Sequence, residues 1–229
     1  MVETDRLIRT SARESSVDLL WVFGIMLPAI WLLQPITIVF GGPVGLLLGM
    51  CIATWRLRAR GLAWRDVGVT RPDRPVDLTV ASVIVFVLAI LLSNVATITF
   101  QSLRLDESSP DINHLEGLEG SLWYFLFRLM LAWATSFGEE FIFRGILISW
   151  LDRVFGGTRI SLITAVILQA CLFGYMHYQT QGMIGIFAAG GSGLAFGIGF
   201  VAFKRNLWPV VIVHLALNTL AFAEISLNA

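Results

Sequence analysis

Seven apolar runs constrain this chain more than any other feature: roughly residues 17–34, 36–55, 79–100, 121–150, 160–178, 182–203 and 207–225. Crossing a bilayer takes about 20 predominantly apolar residues in one helix, because lipid satisfies no backbone N–H or C=O. The expected fold class is therefore all-α, a polytopic transmembrane helix bundle of seven spans. The run 121–150 exceeds one simple crossing. At 1.5 Å per residue it reaches about 45 Å, so part of it protrudes, tilts or kinks, and it has room for an eighth, partial crossing. Composition points the same way: 56% of residues are hydrophobic, 14% are charged, and the mean hydropathy is +0.78, whereas a soluble domain carries about 25% charge. The net charge of zero gives no general attraction to nucleic acid. Cys51 and Cys171 both sit in apolar runs and read as small buried residues, not as a disulfide or a metal pair.

Residues 1–16 are polar and carry Arg6, Arg9 and Arg13. The run from Val17 to Leu33 is longer than a signal-peptide core and is followed by no small-x-small cleavage site, so it reads as a retained first span. Basic residues then give an orientation. Three precede span one; Arg56, Arg58, Arg60, Arg65, Arg71 and Arg74 follow span two; Arg153 and Arg159 follow span four; Lys204 and Arg205 follow span six. Thirteen of the 16 Lys and Arg thus fall on one side, while the loop after span three holds Arg104 among Asp106, Glu107, Asp111, Glu116 and Glu119. By the positive-inside rule the N-terminus is cytoplasmic and the C-terminus lies on the other side.

Charge inside an apolar span is costly and marks a candidate site. Arg128, Glu139, Glu140 and Arg144 lie in span four, His177 closes span five, and His214 and Asn218 lie in span seven. Glu140 and Arg144 are four apart and suit an ion pair on one helix face. Glu139, about 100° away around the helix, is left for chemistry. Phe173 with His177, and His214 with Asn218, each share a face. Measured from the cytoplasmic ends, Glu139 lies about 16 Å deep, His214 about 10 Å and His177 up to about 25 Å. The expected arrangement is a shared cavity opening towards the cytoplasm, with His177 apparently too deep. The glycine-rich span six, with Gly193 and Gly197 in small-xxx-small spacing, reads as a close-packing face. No internal repeat is visible, which disfavours a transporter built from inverted halves.

Glu139-Glu140-Phe-Ile-Phe-Arg144, Phe173-Gly-Tyr-Met-His177 and His214-Leu-Ala-Leu-Asn218 occur in this order on three apolar segments. They resemble the EExxxR, FxxxH and HxxxN signatures of the CAAX protease and bacteriocin-processing family of intramembrane proteases, over about residues 119–222. The stretch from Gly61 to Gly68 is similar to the basic loop often found upstream. The resemblance implies a catalytic helical core at 119–225. It would be preceded at 1–118 by a cytoplasmic segment, three spans and an acidic loop, all in one membrane domain. It implies an endopeptidase acting on membrane-associated peptide or protein substrates. Glu139 and His177 would activate water, and His214 and Asn218 would stabilise the oxyanion. Glu140, Arg144 and Phe173 would support them. The alternative the family offers is a non-catalytic binding or bacteriocin-immunity protein on the same scaffold. Metal stays open, because Glu139, His177 and His214 match a zinc ligand set, whereas Asn218 suits metal-free oxyanion stabilisation. The implied location is the inner or plasma membrane.

Overall fold

The computed structural model describes residues 10–71, 74–103 and 121–228. The acidic loop, with Arg104 and His114, and the arginines at 6 and 9 lie outside them. Among the described residues all regular structure is helical: α1 (Ala12–Leu33), α2 (Gly41–Ala59), a 3-10 turn (Trp64–Val67), α3 (Pro75–Ser102), α4 (Leu122–Glu139), a π-helical segment (Glu140–Ile148), α5 (Ser149–Val154), α6 (Arg159–Met176), α7 (Tyr178–Ala202) and α8 (Trp208–Asn228). Local chemistry sets several boundaries. Ser11 and Glu14 close a capping box on α1, Pro75 opens α3, and Thr158 and Ser161 cap α6 reciprocally. Each arrangement satisfies or removes N–H groups that a helix start leaves orphaned.

Among the described residues five helices are long and apolar enough to cross a membrane: Ala12–Leu33, Pro75–Ser102, Arg159–Met176, Tyr178–Ala202 and Trp208–Leu227. The seven expected spans exceed this number. Glycines and the pair Arg56 and Arg58 dilute the hydropathy of α2. The rod formed by α4, the π segment and α5 carries Arg128, Glu139, Glu140 and Arg144 within its apolar stretch. In both elements, residues that serve packing or chemistry lower the apolar content that span recognition rests on.

The helix starts and ends that carry arginines meet at one end of the bundle. Arg56 and Arg60 pair with the buried Asp18 near the start of α1, and Arg60 also with Glu14. Arg205, after α7, pairs with Asp152 of α5 at 2.6 Å. The Leu207 N–H donates to the Gly68 carbonyl at 2.9 Å. A side chain on Gly145 would sit 2.8 Å from the Val67 carbonyl, so the 3-10 turn and the α7–α8 loop form a collar at the level of Gly145.

The rod continues nine residues past Gly145 to Val154, about 13 Å at 1.5 Å per residue. That protrusion accounts for the mismatch in depth. From the collar, Glu139 is six residues away and His214 seven from Leu207, about 9 and 10 Å. The α6 helix starts beside the protruding end of α5, so its extra length is spent before the collar is reached. His177 is not displaced from the others.

Helices α6 and α7 pack closely. A side chain on Gly193 would meet the Phe173 ring at 3.0 Å, and one on Gly197 the Gln169 amide at 2.7 Å, which bears out the packing reading of this glycine face. The cysteines correct an expectation: Cys51 and Cys171 are free and exposed. In a membrane protein the outward surface is itself apolar, so an apolar neighbourhood in sequence does not imply burial.

Candidate active site

The π segment is buried throughout, including both ends of the Glu140–Arg144 pair. π-helical turns are uncommon and cluster at functional sites. Arg144 donates to Glu140 Oε1 at 3.1 Å, the pairing that its spacing anticipates. Its guanidinium also lies 4.2 Å from the Phe173 ring centre and 5.2 Å from that of Phe196, and it reaches the Gly193 carbonyl at 3.5 Å. Gln169 donates to the same carbonyl at 2.8 Å. One buried arginine therefore ties the rod to α6 through Phe173 and to α7 through Gly193 and Phe196.

Glu140 has a second task that spacing along one helix cannot show. Its Oε1 lies 2.7 Å from His214 Nδ1. A carboxylate accepts, so Nδ1 carries the proton and Nε2 is directed elsewhere. Nε2 lies 3.8 Å from Glu139 Oε2. His177 is held in the same manner. Its Nδ1 lies 2.8 Å from the Phe173 carbonyl, which can only accept, so Nε2 is the lone-pair nitrogen of the neutral ring. Both histidines thus have Nδ1 tied to a fixed acceptor and Nε2 released for other partners.

Asn218 donates to Ser136 Oγ at 2.8 Å, and Ser136 in turn donates to the Ala132 carbonyl at 2.7 Å. Ser136 is fully buried and was not among the residues the motifs marked. The available signal was its position, three residues before Glu139 and four before Glu140. The chain Ala132–Ser136–Asn218 fixes the orientation of the amide.

Two cavities meet at His177. The first, about 330 Å³, is lined by Glu139, Phe143, Phe173, His177 and Gln181, with walls from α1, α2 and the start of α4. The second, about 220 Å³, holds His214 and Asn218 together with Ser93 and Ser192, and again Phe173, His177 and Gln181. The structure therefore brings Glu139, His177, His214, Asn218 and Phe173 to one place, with Glu140 and Arg144 immediately behind. Helices α1 and α2, which carry no signature, nevertheless supply Ile30, Gln34 and Leu46 to the wall.

The larger cavity runs from this site towards one end of the bundle. Its other lining residues are at the α1–α2 turn (Ile38, Val39), in the second turn of α4 (Arg128), at the start of α7 (Thr180) and late in α8 (Phe222). All lie at the end of the bundle opposite the arginine-bearing collar.

Glu139 and Glu140 each have an enclosed oxygen, Oε2, with no hydrogen-bond partner among the described residues, and of the two only Glu139 lines a cavity. A buried carboxylate oxygen without a donor is costly and calls for an explanation. Among the described residues no group of three His, Cys, Asp or Glu is arranged as a ready metal site.

Residues 120–220 match the family model described as type II CAAX prenyl endopeptidase Rce1-like. No curated protein and no solved structure matches the chain.

Proposed function

We infer that this chain, whose residues 120–220 form an Rce1-like domain, is a membrane-embedded endopeptidase that uses Glu139 and His177 to activate water and His214 and Asn218 to hold the developing oxyanion. The observation that carries this reading is the unpartnered Oε2 of Glu139, enclosed beside His214 in a cavity shared with His177. A general base needs an acceptor with no better partner than the proton it removes.

In the proposed reaction one hydrogen of a water is held by Glu139 and the other by Nε2 of His177. Glu139 takes its proton as the water oxygen attacks the scissile carbonyl. The carbonyl oxygen gains the negative charge and turns towards the second cavity, where the free amide hydrogen of Asn218 donates to it. His214 keeps Nδ1 on Glu140 and donates from Nε2 when that nitrogen carries a proton. Glu139 then returns its proton to the leaving amine, so its protonation state is restored. Preorganised donors of this kind are typically worth about 3–4 kcal/mol each. The ion pair with Arg144 holds Glu140 stationary, so His214 keeps its orientation.

The membrane arrangement belongs to the same proposal. The five apolar helices cross, and α2 and the rod cross with them, giving seven spans. The support is that α2 pairs its arginines with α1 at the collar, while the rod carries the site between α6 and α8. The collar end, where the arginines gather, is cytoplasmic by the positive-inside rule. Glu139→Gln tests the chemistry. It keeps shape and removes the base, so cleavage of membrane peptides should stop while the protein stays folded. Unchanged cleavage would remove Glu139 from the role of base, and a parent protein that cleaves nothing would favour a binding or immunity role for this scaffold.

A further inference from the structure

The site is closed on one side and open on the other. Towards the collar, Trp64, Phe137, Phe141 and Trp208 form a continuous aromatic cluster. Trp64 and Phe141 have ring centres 4.9 Å apart, Trp64 and Phe137 6.0 Å, and Phe137 and Trp208 6.3 Å. Below the cluster, Val67, Ile142, Ile146 and Leu207 are each at most 1% exposed, and the Leu207–Gly68 hydrogen bond locks the two loops together. The aliphatic side chains below the cluster offer a peptide no hydrogen bond, and an extended backbone entering among them would strand its own polar groups.

Away from the collar the cavity wall is assembled from chain ends and turns: Gln34 and Val39 at the α1–α2 turn, Thr180 and Gln181 at the start of α7. Gln181 lines both cavities and is exposed. Its side chain has no hydrogen-bond partner among the described residues. It sits on a break in α7, where Gly182 has φ 64° and ψ −160°, a conformation essentially reserved for glycine. Phe173, His177 and Gln181 thus follow at four-residue steps across the α6–α7 junction, leading from the reacting groups to the open end. A side-chain amide both donates and accepts, which suits a passing peptide backbone.

We propose that the substrate of this site is a membrane-anchored peptide presented from the side opposite the cationic collar: the extracytoplasmic aqueous phase and outer leaflet, not the cytoplasm. The proposal rests on the protease reading above and adds to it the compartment from which substrate is drawn. Gln34, Gln181 and Thr180 form the polar entry, and the aromatic layer is the floor.

Thiol accessibility tests the direction of access without relying on cleavage. In a background with Cys51 and Cys171 replaced by Ala, single variants Val39→Cys, Gln181→Cys and Arg65→Cys are treated with a membrane-impermeant maleimide in sealed right-side-out vesicles. The expected result is that Val39→Cys and Gln181→Cys react from outside, whereas Arg65→Cys reacts only after permeabilisation. The proposal is overturned if neither entry position reacts from outside, or if Arg65→Cys reacts together with them in sealed vesicles. Loss of cleavage in Glu139→Gln is read separately, so a wrong direction of access and a wrong chemistry give different results.

Discussion

Replacing Arg144 by Met removes the charge but keeps much of the volume, and the structure supplies the expected cost. The guanidinium is fully buried and its partner Glu140 is equally enclosed. Deleting one member of a buried pair strands the other and typically costs about 3–5 kcal/mol, which is two to three and a half decades in the folded-to-unfolded ratio. The contacts with Phe173 and Phe196 contribute in the same direction, although the terms do not simply add. The control is the double variant Glu140→Gln/Arg144→Met, which leaves no stranded charge and should recover a large part of the loss. Unfolding of the purified proteins in detergent, followed by intrinsic tryptophan fluorescence, measures all three. If Arg144→Met were as stable as the parent, or if the double variant were no better than the single one, the pair would not be the clamp described here.

Asn218→Ala should slow turnover by about 10²–10³, the usual loss for one oxyanion donor, with little change in KM. Ser136→Ala, which frees the amide without removing it, should give a smaller loss of kcat, and a loss as large as that of Asn218→Ala would mean that Ser136 acts on the substrate directly. Gly182→Ala forces a side chain into a positive-φ backbone beside Gln181 and should cost about 1–3 kcal/mol of stability; an unchanged unfolding midpoint would contradict the break in α7. Activity should survive exhaustive chelation, and loss of activity with recovery on adding zinc would instead assign Glu139, His177 and His214 to a metal.

Several features were legible in the sequence because they depend on spacing along one helix. Glu140 and Arg144 meet as their four-residue separation requires. The Phe173–His177 pair falls on one face, and there Phe173 contributes its carbonyl as well as its ring. The all-helical fold followed from apolar runs alone. What was not legible depends on contacts between helices. Nothing local distinguishes the π segment from an ordinary helix, and the hold of Glu140 on His214 spans 74 residues. Ser136 became visible only when α8 delivered Asn218 to it. The excess depth of His177 arose because depth was counted from the ends of segments that pass the collar, and the exposure of Cys171 was hidden because lipid-facing and buried positions look alike in an apolar run.

Oxygen-isotope labelling of the products tests the central claim most directly. Purified protein in liposomes is incubated with a membrane-anchored peptide in water enriched in ¹⁸O, and the fragments are read by mass spectrometry. The account predicts internal cleavage whose new C-terminal carboxylates carry ¹⁸O with the parent protein, and no fragments with Glu139→Gln. Equal labelled fragmentation by both proteins would contradict it.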